Sequence, residues 1–358
     1  MVYLYVNLFE IGKNLFNTNL FIIMGVDLKD IILRENRKLG DFQGRTIAID
    51  AYNSLYQFIS IIRQPDGTPL TDSNGVVTSH LAGLLYRTAN LVEAGIKPVY
   101  VFDGKPSPLK MTTLENRGAV RNKAAEEWKK ALEEGDIEKA RTKAMESSRL
   151  TADMVDEAKA LLDALGIPFI QAPSEGEAQA SHMVKKGGVY AVGSQDFDVL
   201  LFNAPVLIRN LTITGKRKMP GKKVYVNVEP EEIRTENVLK NLGITVEQLV
   251  DIGILVGTDF NEGIKGIGPK KALKLIKEHK NLENVLRNTG WEIRDYEDVR
   301  KIFLEPRVTN DYRIKWGSID ENVVKEFLCI LHDFSEDRVE NALKKFQIKS
   351  QKSLEEWF

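Results

Sequence analysis

The chain repeatedly passes from a helical pattern into a short β-branched or aromatic run that finishes in an acid, and this repetition constrains its fold more than any other feature. "RTIAID" ends at Asp50. "KPVYVFDG" reaches Asp103 after the helix-like "SHLAGLLYRTANLVEAG", for which Gly95 is the stop signal. "GIPFIQAPSEGEA" runs from a strand into Glu175 and Glu177, and "GVYAVGSQDFDVLLF" carries Asp196 and Asp198 to the end of an otherwise buried strand. Helices alternating with buried strands predict an α/β fold built on a mainly parallel sheet, whose ligands sit outside the carboxyl ends of the strands. The acids are therefore expected on one rim.

Singly, each acid has a bland explanation. Ser174 followed by Glu177 fits a helix capping box, Asp196 or Asp198 fits a cap of the next helix, and Asp103-Gly104 is ordinary turn chemistry. Together they carry a cost, because two unit charges 4 Å apart repel by ~4 kcal/mol at an effective dielectric near 20. A rim that gathers this many carboxylates needs cations. Oxygen-only ligation without a nearby Cys or His cluster favours Mg²⁺ or Mn²⁺, and Mg²⁺ keeps several of its waters. Two such ions about 3.5 to 4 Å apart polarise a phosphodiester, generate hydroxide and stabilise the leaving oxygen.

Composition excludes little. The 358 residues, 43% of them hydrophobic, suffice for a sizeable core, and 50 Lys and Arg balance 51 Asp and Glu to a net charge of -1. Any case for a polyanionic partner must rest on local charge. The single Cys329, in the apolar "EFLCILHDF", cannot form an intramolecular disulfide and points to a reducing, intracellular setting. His80, His182, His279 and His332 are scattered and receive no catalytic role. No uncharged apolar stretch is long enough to span a bilayer, so no membrane partner is expected.

"MGVDL" at Met24, "AIDAYNSLYQF", "VFDGKPSPLK", "PSEGEA", "DFD" and "GTDFNEGIKGIGPKKA" follow the order and spacing of the flap endonucleases, structure-specific 5' nucleases of replication and repair, and the chain resembles them from Met24 onward. The resemblance implies a PIN-like 5' nuclease fold with a helical arch and a helix-turn-helix DNA-binding element. It also implies metal-binding roles for Asp50, Asp103, Glu175, Glu177, Asp196, Asp198 and Asp259, with two Mg²⁺ per site and Mn²⁺ as a substitute. Asp259 lies on a later loop that strand logic alone does not reach.

Between Lys105 and Arg149 eleven Lys or Arg face eight Asp or Glu, and Lys110, Arg117 and Arg121 fall on one helix face at spacings of 7 and 4. A charged face is usually just solvated. The resemblance instead implies the arch through which a single-stranded 5' flap passes, with Lys110 and Arg117 on the scissile phosphate as catalytic cations. It further implies that a base near the cut stacks on Tyr56, and that Gly25 lies close to the DNA. "NEGIKGIGPKKALKLIKEHK" reads as helix, tight turn, helix. Gly266 and Gly268 permit close approach to a phosphate, Pro269 opens a helix whose amides favour an anion, and Lys270 and Lys271 follow, so sequence-independent duplex binding is expected. Family resemblance adds a monovalent cation at this turn.

The expected organisation is residues 1–23 as a non-family extension, 24–121 as N-terminal nuclease region, 122–138 as part of the arch, 139–281 as internal nuclease region with the DNA clamp, 282–349 as C-terminal helical region and 350–358 as tail. The extension, apolar but broken by Glu10 and Lys13, lacks the features of a signal peptide and is expected to reflect a misplaced start or a true appendage. In the tail, Gln351, Leu354, Trp357 and Phe358 match peptides that dock on the replication sliding clamp, of the PCNA type; the alternative is a terminal turn packed on the body. The lack of a long basic tail leans archaeal, hence cytoplasmic at the nucleoid. The expected substrate is 5'-flap DNA, cut by a monomeric enzyme near the flap base to leave a ligatable nick, with 5'-3' exonuclease activity besides. Three rivals stand: a related repair nuclease cutting bubbles or gaps, a Mg²⁺ phosphatase, and a non-catalytic clamp or DNA adaptor.

Overall fold

The computed structural model describes residues 25–218 and 225–355. The extension, Trp357 and Phe358 lie outside the described residues. The described residues form nine strands: β1 (Glu35–Asn36), β2 (Thr46–Asp50), β3 (Lys97–Phe102), β4 (Phe169–Gln171), β5 (Ala191–Gly193), β6 (Val206–Arg209), β7 (Gly215–Lys218), β8 (Tyr225–Val228) and β9 (Glu231–Arg234). Seven of them make one sheet in the order β1-β9-β6-β5-β2-β3-β4, and β7 pairs with β8 apart from it. Strands β4, β3, β2, β5 and β6 are parallel to their neighbours, whereas β9 joins β6, and β1 joins β9, antiparallel. The mainly parallel sheet expected from the sequence is present.

Its central strands β2, β3, β5 and β6 are buried on both faces, which explains their near-continuous apolar runs. Side chains alternate between two cores: Ala48, Val99, Val101, Val192 and Leu207 enter one, while Ile47, Ile49, Tyr100, Phe102 and Ile208 enter the other. The strand order changes direction at β2, which has β3 on one side and β5 on the other. That switch opens a crevice at the carboxyl ends of β2 and β5, where such sheets bind ligands.

The helices are α1 (Ala51–Ile61), α2 (Ser79–Glu93), α3 (Met111–Glu133), α4 (Ile137–Glu146), α5 (Ala152–Ala164), α6 (Gly176–Lys185), α7 (Asp198–Leu201), α8 (Thr235–Leu242), α9 (Val246–Val256), α10 (Pro269–His279), α11 (Leu282–Thr289), α12 (Tyr296–Leu304), α13 (Glu321–Lys325) and α14 (Glu336–Glu355). Helices α3 and α4 form a hairpin that buries little more than Ala124, Ala131, Ala140 and Ala144. Small side chains let the two helices approach while their long charged residues stay solvated, and Asp136 caps α4 at the turn. Helix α3 is continuous through residues 121 and 122, so that expected boundary falls within one element.

Residues 261–268 depart from the sequence reading. They are not the first helix of a helix-turn-helix but part of the loop between α9 and α10, which a Thr258–Asn261 bridge tightens. Gly266 has φ +79°, a conformation that favours glycine, and α10 opens at Pro269 as expected.

Helices α1 and α2 meet at Gly83, where a Cβ would lie 2.2 Å from Phe58 Cγ and 2.4 Å from its Cβ. Alanine gains about 1 kcal/mol of helix propensity over glycine, but overpacking a filled core costs roughly 1–3 kcal/mol and here would push against the root of a ring. With contacts this short the upper part of that range applies, and less the propensity gain Gly83→Ala should destabilise the protein by about 1–2 kcal/mol in a denaturant titration. An unchanged or raised midpoint would show that the two helices separate freely.

Candidate metal centre and its basic hairpin

Each acid reaches the rim by a different local route. Asp50 closes β2 and caps α1, accepting from the Asn53 backbone N–H at 3.0 Å. Strand β5 ends at Gly193, and the turn after it carries Ser194 and Asp196. The Ser194 hydroxyl lies 3.3 Å from Asp50 Oδ2 and 3.1 Å from Glu177 Oε1, and its oxygen accepts from the Asp196 N–H at 3.2 Å. Asp50, Glu177 and Asp196 offer oxygens that lie within 4.8 Å of one another, a grouping suited to a hard cation.

The alternative reading of Ser174 and Glu177 as a capping box does not hold. Glu175 is the N-cap of α6, without a side-chain cap bond, and Ser174 Oγ donates instead to the Lys105 carbonyl. The first turn of α6 is capped from another strand: the Gly176 N–H donates to Asp103 Oδ1 at 2.6 Å. A Cβ on Gly176 would stand 2.7 Å from that oxygen, which accounts for the glycine. The capping alternative for the Asp196/Asp198 pair fails similarly, since Phe197 is the N-cap of α7 and neither aspartate bonds to its amides.

Asp198 and Asp259 face the beginning of the described chain. The Val26 N–H donates to Asp198 Oδ1 at 2.7 Å and the Gly25 N–H to Asp259 Oδ1 at 3.1 Å. Gly25 has φ +80°, and a Cβ there would lie 3.0 Å from the Asp198 carboxylate. From the hairpin, Lys110 Nζ reaches Glu175 Oε2 at 2.5 Å and Asp259 Oδ2 at 3.4 Å, and Arg117 grips both Asp259 oxygens, one of them at 3.2 Å. Lys110 occupies the turn before α3 and Arg117 lies two helical turns on, so the spacing seen in the sequence does place both on the rim. Arg121 sits with its guanidinium 4.9 Å from the centre of the Tyr56 ring.

Burial dominates the electrostatics. It raises Asp50 to about 6, and it raises Asp103 and Asp198 to about 7, with the Asp50 charge adding to the shift of Asp103 and the Asp259 charge to that of Asp198. Glu177 is pushed well up by burial and then by the Asp196 charge, and Asp196 by burial and then by the charges of Asp50 and Asp198. Asp259 is the exception: burial works to raise it, but Lys110 and Arg117 outweigh that and hold it below the ordinary range. Lys110 is correspondingly raised, since Glu175, Asp259 and Asp103 overcome its own desolvation. An oxygen-only donor set in which most members are too crowded to ionise freely fits a divalent cation that would supply the missing positive charge.

All seven acids and both hairpin cations expected from the sequence share this rim. Residues of the α9–α10 turn are arranged separately: Lys270 Nζ lies 3.7 Å from Asp30, Lys271 Nζ donates to the Gly266 carbonyl at 3.1 Å, and a Cβ on Gly266 or Gly268 would meet nothing within 4 Å. Gln351 and Leu354 fall within α14. The sequence reading passed over Ser194, Asn53, which donates to Asp196 Oδ2 at 2.8 Å, and the Val26 amide. Only the "DAYN" run gave a signal, by setting an amide three residues beyond a capping acid.

A PIN-like sheet that collects its carboxylates at the switch point, beneath a basic helical hairpin, defines a metal-dependent nuclease. Comparison with known proteins narrows the class. Residues 24–124 match the model of the XPG N-terminal domain and residues 166–259 that of the XPG I-region. The chain is 54% identical over 337 residues to flap endonuclease 1 of Archaeoglobus fulgidus and 52% identical over 338 residues to that of Methanosarcina barkeri, in each case covering 94% of this chain and 100% of the relative. The solved flap endonuclease-1 of Methanococcus jannaschii superposes with a TM-score of 0.72 at 40% identity, covering 90% of this chain and 98% of that one. The chain belongs to the flap endonuclease family, and its enzyme class is that of a 5' flap endonuclease.

The raised carboxyls make the stability of the metal-free protein depend on pH. A group whose folded pKa exceeds its unfolded value stabilises the fold only while protonated, so the contribution of Asp50, Asp103 and Asp198 is lost as pH rises from about 4 through about 7. Buried His80, lowered to about 4, runs the other way, so the metal-dependent difference in Tm is the informative quantity. The increase in Tm caused by excess Mg²⁺ should be small at pH 5.5 and grow steadily to pH 8. An increase independent of pH would show that Mg²⁺ does not bind these carboxyls.

Proposed function

We propose that the rim hydrolyses a phosphodiester near the base of a 5' flap by a two-ion mechanism, leaving a ligatable nick. The observation that supports this most is the pairing of opposite functions on one rim: seven carboxylates suited to divalent cations lie under Lys110 and Arg117, side chains suited to a phosphate. Asp50, Glu177 and Asp196 form one part of the ligand set and Asp103, Glu175, Asp198 and Asp259 the remainder. When bound, Mg²⁺ ions supply an activated water and neutralise charge on the leaving oxygen. Lys110 and Arg117 bind the non-bridging oxygens of the scissile phosphate and stabilise the charge that develops there.

Around that centre the chain orients its substrate. Tyr56 offers a ring for the base beside the cut, with Arg121 above it. The hairpin α3–α4 encloses the single-stranded flap, and Gly25 lines the cleft floor beside Asp198 and Asp259. The unobstructed backbone of Gly266 and Gly268, the N-terminus of α10 and exposed Lys270 and Lys271 grip the duplex by its phosphates, a turn that also accommodates a monovalent cation. Among the solved structures of similar fold is the catalytic core of Rad2 in complex with DNA substrate, at 24% identity and a TM-score of 0.64. Among the described residues no helix is long and apolar enough to cross a membrane.

Labelled 5'-flap, single-stranded and blunt duplex DNA, offered with Mg²⁺ or EDTA, test this reading. Only the flap should be cut efficiently, and only with metal; equal cutting of all three, or cutting in EDTA, overturns it. Asp198→Ala should lower turnover by orders of magnitude while flap binding persists, because loss of a carboxylate also removes repulsion of phosphate. Deleting residues 351–358 should leave basal cleavage intact and abolish stimulation by a sliding clamp. Undiminished stimulation would remove the tail from that role.

A further inference from the structure

A line of buried hydrogen bonds leads from the turn Leu211–Ile213, after β6, to one carboxylate of the candidate metal centre. Thr212 Oγ1 donates to Gln57 Oε1 at 3.3 Å, Gln57 Nε2 donates to Asn53 Oδ1 at 2.7 Å, and Asn53 Nδ2 donates to Asp196 Oδ2 at 2.8 Å. The three donors are buried, with exposures of 6%, 7% and 5% respectively. Asn53 and Gln57 sit four residues apart on one face of α1, and the Asn53 backbone is itself held by Asp50.

The direction of this line is forced. A carboxylate that holds a cation has no proton to give, so in that state Asn53 turns its nitrogen toward Asp196 and its oxygen toward Gln57. Gln57 must then present its nitrogen to Asn53, which leaves its oxygen for a donor. Thr212 ends the line because a hydroxyl can donate there while losing nothing at its other side. Reversing any amide would set two acceptors or two NH₂ groups against each other in a largely buried site, at a cost of about 1–3 kcal/mol per unsatisfied group.

We infer that Asn53, oriented by Gln57 and Thr212, is a positioning residue that holds the Asp196 carboxylate in the rotamer in which it receives a divalent cation. The inference rests on Asp196 being a metal ligand. Outer partners of this kind fix ligand orientation, and their loss typically weakens metal binding by about 10–100-fold. Nothing in the fold of α1 requires an amide at position 53, since the helix cap is supplied by Asp50 and, among the described residues, the Asn53 side chain bonds only to Gln57 and Asp196.

Mn²⁺ binding to the full chain without DNA, followed by the electron paramagnetic resonance of free Mn²⁺, tests the inference apart from activity. Asn53→Leu should weaken Mn²⁺ binding by about 10-fold or more with flap binding in EDTA unchanged. Gln57→Leu and Thr212→Val should give progressively smaller losses of the same kind. In cleavage assays the Mg²⁺ concentration for half-maximal rate should rise while KM for the flap does not. Asp196→Ala is the control: wild-type Mn²⁺ binding in that variant would refute Asp196 as a ligand, whatever Asn53 does. If Asp196→Ala loses binding but Asn53→Leu does not, the positioning role is wrong. It is also wrong if Asn53→Leu weakens binding further on an Asp196→Ala background, because Asn53 would then act through another group. Should Asn53→Leu fail to fold, a Thr212→Val variant with unchanged metal binding overturns the proposal.

Discussion

The structure depends on a conflict at the carboxyl ends of its parallel strands, where seven acids are drawn out of water and toward one another. Pairwise repulsion of ~4 kcal/mol at 4 Å would be enough to splay the rim if nothing opposed it. Three kinds of group oppose it. Helices α1, α6 and α7 all begin at these acids, so their N-terminal amides and dipoles face the negative charge. Single backbone donors from Gly25, Val26 and Gly176 meet Asp259, Asp198 and Asp103. Lys110 and Arg117 bring full charges to Glu175 and Asp259. What these leave uncompensated is proton uptake on the rest, which is why burial shifts most of the acids upward and the best-paired one, Asp259, downward.

The basic hairpin thereby acquires a second property. Its two inward cations are paired with Glu175 and Asp259, so a divalent ion held by those carboxylates would loosen the ion pairs that anchor the hairpin to the rim. A phosphate arriving with the metal offers Lys110 and Arg117 new partners of the same sign. Since α3 and α4 bury little beyond alanines, few apolar contacts hold the hairpin in one position against such an exchange. The weak packing of this element and the strength of its ion pairs belong to one arrangement, in which charge rather than burial decides where the hairpin rests.

Much of this was legible in the sequence because charge and periodicity are written locally. Asp50 at the end of β2, Asp103 just beyond β3 and the "DFD" run beyond β5 announced the parallel sheet and its rim, and the spacing of Lys110 and Arg117 announced a shared face. Local patterns misled where a distant partner won. Ser174 and Glu177 have the spacing of a capping box, yet Asp103 takes the Gly176 amide, and Ser194 takes Glu177. The glycines of residues 261–268 break a helix that residue types elsewhere in the segment would support. Ser194 and Asn53 were invisible for a different reason: a hydroxyl or an amide is common anywhere, and only the fold reveals that its partner is a carboxylate 143 residues away in the chain, as for Asn53.

That long reach sets the order in which the centre can exist. Gly25 meets Asp259 across 234 residues and Val26 meets Asp198 across 172, so neither contact can form until the sheet has brought its strand ends into register. Loop closure over such spans grows only slowly with length, by about 0.6 kcal/mol per doubling, so distance alone does not forbid the contacts. The larger obstacle is the repulsion that each added carboxylate brings to a rim already negative. The apolar cores on both faces of the sheet must therefore supply the free energy that assembles the acids, and a divalent cation returns stability to the finished site by removing the repulsion. Metal binding and completion of the fold are in this way two sides of one equilibrium, and residues that only orient a ligand, such as Asn53, act on both.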